Sequence, residues 1–142
     1  EKKFIPKIIK NAIKRKKIPI YGEGKNIRDW IFVEDHCKAL IKIIENGHVG
    51  ETYNIGTGKE VSNIDLAKLI CRKLDVIYPN QNDSYQKLIS FVKDRAGHDF
   101  RYSIDSTKLK SSLDWKLTKT FDQSLHYTIE WYVKNFLGLE KS

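Results

Sequence analysis

Residues 20–30, which read IYGEGKNIRDW, combine several side chains that could do chemistry. Tyr21 and Lys25 lie four residues apart, and on a helix this spacing puts an ammonium group beneath a phenol and favours the ionised phenol. Two of the three intervening residues are glycines, and strands are predicted on both sides, so a shared helical face is not expected here. We interpret the pair as a decoy and predict no catalytic residue from it.

Two glycine pairs, Gly22 with Gly24 and Gly56 with Gly58, suggest phosphate-binding turns. A dinucleotide site needs a strand, a G-x-G-x-x-G turn and the first turn of a helix facing the pyrophosphate. Both pairs lack the third glycine and the spacing of a P-loop, and a strand is predicted after the first pair. We predict plain turns, and no cofactor-binding residue in this sequence.

Arg28 follows the first glycine turn and precedes an alternating apolar run. A planar guanidinium suits a diphosphate, and a charge-assisted hydrogen bond of this kind is worth about 1.5 to 3 kcal/mol. The residues leave a second interpretation open, in which Arg28 pairs with Asp29 or Glu23 on the surface.

The run KDRAGHDFRY, residues 93–102, places Arg95, His98 and Arg101 around a glycine in a polar joint between two predicted strands. Such joints often carry ligand contacts. Two separate arginine-bearing loops match what an anionic substrate with two phosphates requires. Taken alone, His98 is also compatible with a solvent-facing loop histidine.

Length and composition predict one domain of ordinary size, with 142 residues of which 40% are hydrophobic and 31% charged. No apolar stretch matches a membrane span and the charged start is not a secretory signal, so we expect a cytoplasmic protein without a membrane partner. Cys37 and Cys71 have no C-x-x-C or histidine pair nearby, which favours reduced thiols over a disulfide or a metal site. Because the sequence contains no methionine, we expect a piece of a longer protein.

The net charge of +8 is concentrated at the beginning, where residues 1–17 contain eight Lys or Arg against one Glu. Apolar residues recur there at helical spacing: Phe4, Ile5, Ile8, Ile9, Ala12 and Ile13. We predict a surface helix that docks by this stripe. The alternative is a basic binding module without catalysis, whose first helix meets nucleic acid or an acidic membrane. No nucleic-acid fold signature follows, so we expect no nucleic-acid partner.

Strands and helices alternate along the remainder, which favours an α/β or α+β arrangement. The predicted strands are 18–21, 27–33, 51–56, 89–92 and 101–104, with a hairpin or a strand-loop-strand over the first two. The predicted helices are 34–46, a helix capped by Ser62 and running to Leu74, and a last helix whose capping box is Thr120 with Gln123.

The sequence resembles the C-terminal portion of the dTDP-glucose 4,6-dehydratases, which belong to the extended short-chain dehydrogenase/reductase group. The matching runs are KFIP (3–6), PIYGEGKNIRDWIFVEDHCKAL (19–40), GETYNIGTG (50–58), SNIDL (62–66), DRAGHDFRYSID (94–105), LDWK (113–116) and TIEWY (128–132). The run from residue 94 is similar to the one typical of 4,6-dehydratases, with Ala96 where those enzymes usually have proline.

The resemblance implies substrate-binding roles for eight residues. They are Lys3, Phe4, Pro19 and Tyr21 at the nucleotide base, Arg28 at the diphosphate, and Asn63, Arg95 and His98 at further nucleotide contacts.

The resemblance also implies a fold class, the α/β C-terminal portion of an extended short-chain dehydrogenase with a truncated Rossmann core. On this expectation residues 31–58 hold the last Rossmann strand and a helix of the dinucleotide-binding domain. Residues 1–30 and 60–142 then form mainly the small mixed α/β substrate-binding part.

The family oxidises the sugar C4 by hydride transfer to a tightly held NAD, eliminates water across C5 and C6, and returns the hydride to C6. The implied partner is a nucleotide-diphosphate sugar, dTDP- or UDP-glucose, and the implied assembly is a homodimer. The family's Tyr and Lys, its carboxylates and its glycine fingerprint match nothing in this sequence, so we expect NAD to be bound mainly upstream and the fragment alone to be inactive. The alternatives are a UDP-glucose 4,6-dehydratase or another NAD-dependent sugar epimerase or decarboxylase.

Overall fold

The computed structural model describes residues 3–80 and 83–138. The helices are α1 (Phe4–Ile13), α2 (Val33–Asn46), α3 (Asn63–Ile77), α4 (Thr107–Leu113) and α5 (Phe121–Leu137), with a short 3-10 helix at Tyr85–Leu88. The strands are β1 (Ile18–Tyr21), β2 (Ile27–Asp29), β3 (Glu60–Ser62) and β4 (Ile89–Val92). The predicted first, second, third and last helices are confirmed, including the Ser62 cap and the Thr120–Gln123 capping box.

The four strands form two separate two-stranded sheets. β1 pairs in parallel with β4, from Ile18 opposite Ile89 to Tyr21 opposite Val92. β2 pairs antiparallel with β3, with Arg28 opposite Val61. The hairpin alternative for β1 and β2 is therefore wrong and the strand-loop-strand is confirmed, because the loop between them is bonded to the start of α3 and leads β2 away from β1.

The main hydrophobic core lies between α1, β1, α3 and α5. Ile9 of α1, Ile20 of β1 and Ile129 of α5 are all fully buried in it. The first helix therefore docks by its apolar stripe as predicted, while Lys14 and its neighbours to residue 17 stay exposed. None of the helices in the described ranges is long and apolar enough to cross a membrane.

A second, smaller core joins α2 to α4. Its buried members are Ala39, Leu109, Leu113 and Trp115, and the partly buried Ile31, Ile43, Tyr53 and Ile55 pack against it. The Trp115 indole donates a hydrogen bond of 3.1 Å to the Asp35 carbonyl. The buried Asp35 carboxylate accepts hydrogen bonds from the Thr118 amide at 3.0 Å and the Thr118 hydroxyl at 2.6 Å.

Three predicted strands differ from the structure. The strand predicted at 27–33 ends at Asp29, because Val33 begins α2 and Glu34 and Asp35 supply the acidic first turn that a helix favours. The run 101–104 keeps one parallel bridge, between Arg101 and Ile27, and forms no strand beyond it.

Residues 51–56 pair with no strand in the described part of the chain, so the strand predicted there is not formed. A strand needs a partner for its backbone groups. Tyr53 and Ile55 instead pack against the second core. Helix α4 was not predicted, because its seven residues are too few to show a helical period.

Helix α2 keeps one apolar face uncovered. Only Asp35 and Ala39 of this helix are buried, whereas Leu40, Ile41 and Ile44 are exposed, Ile44 to 82%.

The two cysteines differ in exposure: Cys37 lies on the exposed face of α2, and Cys71 is buried in the main core. Neither cysteine is in a disulfide. Burial raises the pKa of the Cys71 thiol to about 12.

Candidate functional site

The backbone of β2 brings the predicted arginine loops together. The Ile27 amide donates to the Phe100 carbonyl at 2.7 Å, and the Tyr102 amide donates back to the Ile27 carbonyl at 3.1 Å. These two bonds fasten residues 100–102 alongside β2. Arg28 and the run 93–102 therefore lie next to each other, although Arg28 and Asp99 are 71 positions apart in the sequence.

The Arg28 guanidinium is held by backbone carbonyls and by an aromatic ring. Its Nη1 donates to the Ile27 carbonyl at 2.6 Å and to the Phe100 carbonyl at 3.4 Å, and its Nη2 donates to the Asp99 carbonyl at 2.8 Å. The guanidinium carbon lies 4.3 Å from the centroid of the Tyr102 ring.

The alternative interpretation of Arg28 as half of a surface ion pair is wrong. Glu23 pairs with Lys25 at 2.6 Å. The Asp29 carboxylate accepts hydrogen bonds from the amides of Thr57 at 2.9 Å and Gly58 at 3.0 Å, and also from the Thr57 hydroxyl. Successive strand residues point to opposite sides, so β2 presents Arg28 to the 99–102 loop and Asp29 to the 57–58 turn.

Arg28 and Arg95 act on the same phenol. Tyr102 donates a hydrogen bond from its hydroxyl to the Asp99 carboxylate. This bond, partial loss of solvent and the Asp99 charge raise the pKa of Tyr102, and the charges of Arg28 and Arg95 oppose the rise. Both guanidinium groups therefore lie near enough to the Tyr102 hydroxyl for their charges to influence its pKa.

His98 is not a solvent-facing loop histidine, because its side chain is only 6% exposed. Its Nδ1 shares a hydrogen bond of 2.7 Å with the Asp94 carboxylate. Its ring meets Tyr21 edge-on, with 6.4 Å between centroids. The His98 hydrogen bond, followed by the Arg95 amide, lowers the pKa of Asp94.

The first glycine pair is a turn, as predicted, and the turn packs tightly. Gly22 has φ +55°, and a Cβ there would lie 2.9 Å from the Asp94 carboxylate. Gly24 has φ +69°, and a Cβ there would lie 2.6 Å from Ile20 and 2.8 Å from Ile64. These glycines therefore let the β1–β2 loop fit between α3 and the 93–102 run.

Asn63 joins the site through Asn26. The amide of Asn63 donates to the Asn26 carbonyl at 3.0 Å, and the buried Asn26 side chain donates to the Asp99 carbonyl at 3.2 Å. The amides of Ile64 and Asp65 are also bonded, to the Gly24 carbonyl and the Ser62 hydroxyl. The start of α3 is thus already capped by protein groups.

The remaining predicted site residues lie in two places. Pro19 is half-buried in β1, opposite Ser90. Lys3 precedes α1 with an exposed side chain, and the Phe4 ring stacks on Trp30 with 5.8 Å between centroids. The structure therefore brings Tyr21, Arg28, Asn63, Arg95 and His98 together around the loops, while Phe4 is tied to Trp30 at the far end of β2.

Sequence reasoning did not single out four residues that build this surface: Asn26, Asp94, Asp99 and Tyr102. All four stand within the quoted runs, so their positions were visible. Their partners were not, since each contact joins loops that are distant in the sequence.

A cavity of about 450 Å³ lies elsewhere, between the β2–α2 linker and α5. Trp30, Phe32, Lys119 and Phe121 contribute to its lining, and it includes none of the eight predicted site residues.

The arrangement suits anion binding more than hydride transfer. The Arg28 guanidinium lies over the Tyr102 ring, the charge of Arg95 also reaches the Tyr102 hydroxyl, and the His98 imidazole meets Tyr21 edge-on. The residues after Gly24 enter β2 and those after Gly58 enter β3, so neither glycine turn opens a helix. The described residues thus do not fit a dinucleotide turn.

Residues 1–128 match the family model of GDP-mannose 4,6 dehydratase. A probable dTDP-glucose 4,6-dehydratase of Sinorhizobium fredii is 50% identical over 133 residues, which is 94% of this chain and 38% of that relative. The chain thus spans well under half the length of the curated relatives it matches.

Two solved dehydratases have similar structures. The dTDP-glucose 4,6-dehydratase of Bacillus anthracis, in complex with NAD, is 40% identical with a TM-score of 0.80, over 94% of this chain and 40% of that one. The dTDP-glucose 4,6-dehydratase of Streptomyces venezuelae, with NAD and TYD bound, is 32% identical with a TM-score of 0.85, over 94% and 39%. Both are Rossmann-type enzymes, and this chain corresponds to a small mixed α/β part of that fold.

Proposed function

The chain belongs to the GDP-mannose 4,6 dehydratase family, and we propose that it forms the nucleotide-sugar-binding part of a dTDP-glucose 4,6-dehydratase. The observation that carries the proposal is the contact of Arg28 with residues 99–102, in the run that also holds Arg95 and His98 and is similar to the one typical of 4,6-dehydratases. The identity of 50% to a relative of that name supports the same substrate.

In this proposal Arg28 and Arg95 neutralise the substrate diphosphate. Neither guanidinium has a carboxylate within ion-pair distance among the described residues, so both charges remain available for phosphate oxygens. Arg101, in the same run, is held by two 2.9 Å hydrogen bonds to Glu60. Arg101 is therefore assigned to structure, and the other two to the ligand.

The other predicted residues are assigned around that diphosphate. Tyr21, supported edge-on by His98, and Pro19 beside it offer an apolar surface to the nucleotide base. Asn63 offers its side chain, since its amide is already bonded. Lys3 and Phe4 complete the base pocket in the proposal, from the beginning of α1.

We propose that residues 31–58 belong to the dinucleotide-binding domain of the whole protein. The uncovered apolar face of α2 supports this assignment, and so does the segment 51–56, which pairs with no strand among the described residues. Helix α4 and Trp115 pack on the same segment and are assigned with it. The proposed whole protein is a cytoplasmic homodimer.

NAD is the cofactor proposed for the whole protein. The residues described here do not form its turn, because both glycine pairs lead into strands. No reaction step is therefore assigned to this chain, and we expect it to bind the nucleotide without turnover.

The proposal is tested by titrating the 142-residue chain with dTDP and, in parallel, with UDP. We expect dTDP to bind, the uracil nucleotide to bind more weakly, and dTDP-glucose to remain unconverted. Binding of neither nucleotide, together with steeply salt-dependent retention on heparin, would favour the basic binding module instead. Appreciable dehydration of dTDP-glucose by the isolated chain would contradict the assignment of catalysis to residues outside it.

A further inference from the structure

We infer that Tyr102 and Asp99 are positioning residues for Arg28, which hold its guanidinium ready for the diphosphate before the ligand arrives. The inference rests on the proposed function and adds two residues to it. Neither residue is among the predicted nucleotide contacts, and each acts through Arg28.

The hydrogen bonds of Arg28 fix its position without neutralising it. All three go to backbone carbonyls, those of Ile27, Asp99 and Phe100. A guanidinium has five N–H groups, so about two remain for phosphate oxygens. Neutral carbonyls leave the full positive charge available, whereas Glu60 neutralises Arg101.

Tyr102 supplies the platform beneath this group. Its ring centroid lies 4.3 Å from the guanidinium carbon. The residue is held at two points: its backbone amide donates a hydrogen bond to the Ile27 carbonyl, and its hydroxyl donates one to the Asp99 carboxylate. Because Tyr102 is 50% exposed, its ring is not part of either core. The contacts of its side chain are the ring contact with Arg28 and the hydroxyl hydrogen bond to Asp99.

Asp99 contacts both Arg28 and Tyr102. Its carbonyl accepts from Arg28 while its carboxylate accepts from Tyr102. The carboxylate is thereby directed to the phenol instead of to the arginine. A long side chain that is already ordered loses less conformational freedom on binding, so the arrangement should strengthen diphosphate binding in particular.

The test is a set of dTDP and thymidine titrations of the 142-residue chain. Tyr102→Leu is expected to weaken dTDP binding about tenfold and to leave thymidine binding unchanged, since thymidine has no phosphate. Tyr102→Phe keeps the ring and should lose only about threefold, through the missing bond to Asp99. Asp99→Asn should resemble Tyr102→Phe.

A double-mutant cycle separates positioning from general structure. In an Arg28→Ala background, Tyr102→Leu is expected to have no further effect on dTDP binding. Tyr127→Leu is the matched control, because Tyr127 is 48% exposed and its ring contacts Phe32, away from the site. Equal losses with and without Arg28, or equal losses for dTDP and thymidine, would overturn the inference.

A nucleotide-free measurement distinguishes failure of the inference from failure of the proposed function. In Tyr102→Leu the Arg28 Nε–H signal in ¹H–¹⁵N spectra should change its chemical shift, because the ring current is removed. The order parameter of this group should also fall, because the ring no longer supports the guanidinium. An unchanged signal would overturn the positioning role whatever the nucleotide does. A changed signal in a chain that does not bind dTDP would support the positioning geometry and contradict the proposed function.

Discussion

The two hydrophobic cores of this chain differ in how completely they are closed. The main core lies between α1, α3 and α5, and Ile9, Ile20 and Ile129 are fully buried in it. The second core rests on one face of α2 and leaves the opposite apolar face exposed. A helical apolar pattern therefore identifies a face that needs covering, but it does not tell which neighbour covers it.

The largest contrast is expected from matched isoleucine substitutions. Ile129→Ala in the main core should lower the free energy of unfolding by about 2 to 5 kcal/mol, through lost burial and a cavity. Ile44→Ala on the exposed face of α2 should change it by less than about 0.5 kcal/mol. Urea unfolding followed by circular dichroism measures both. Similar losses would show that the exposed face is covered in solution.

Thiol labelling compares the same two regions directly. Cys71 is buried with its pKa raised to about 12, whereas Cys37 is exposed. In the folded chain an aromatic disulfide reagent should modify Cys37 at least about a hundredfold faster than Cys71. Cys37→Ser should remove the fast phase and Cys71→Ser should leave it. Protection of Cys37 in the whole protein would support a domain covering α2, and fast labelling of Cys71 would contradict the closed main core.

The buried carboxylate of Asp35 tests how the second core is held. Asp35→Ala leaves the Thr118 amide and hydroxyl without their acceptor, so we expect a loss of about 1 to 3 kcal/mol in the free energy of unfolding. The exposed Glu34, one residue earlier, is the control, and Glu34→Ala should have little effect. An equal effect of the two substitutions would contradict a stabilising role of the Asp35 carboxylate in this core.

A smaller effect is expected from pH at the 93–102 run. The pKa of Asp94 is lowered below its usual 3.8, chiefly by the His98 hydrogen bond, so its stabilising contribution is present above that value. The contribution is lost as pH falls through the lowered pKa. Proteolysis or NMR of the loop should therefore show opening only below about pH 4, and Asp94→Asn should open it at neutral pH. A loop that opens well above about pH 4 would contradict this role of Asp94.

Local signals predicted much of the fold. The Ser62 cap and the Thr120–Gln123 capping box each fix a helix start through neighbours three residues apart, and both form as predicted. The apolar stripe of α1 likewise depends on nothing beyond its own turn-to-turn spacing.

Contacts distant in sequence were not predictable in the same way. The parallel pairing of β1 with β4 joins residues about seventy positions apart, and no local pattern specifies it. At the site, the sequence indicated Arg28, Arg95 and His98 but not the residues that contact Arg28 and His98, such as Tyr102 and Asp94. The contact of Tyr102 with Arg28 depends on the backbone hydrogen bond between Tyr102 and Ile27, which no local sequence pattern specifies.

We propose that Arg28 and Arg95 bind the same diphosphate. Calorimetric titration of dTDP into the chain and its Arg28→Ala, Arg95→Ala and Arg101→Ala variants tests this proposal. We expect losses of about ten- to a hundredfold for the first two, from one charge-assisted contact each, and near-normal binding for the Glu60-paired Arg101 variant. Unchanged dTDP affinity on removing both Arg28 and Arg95 would contradict it.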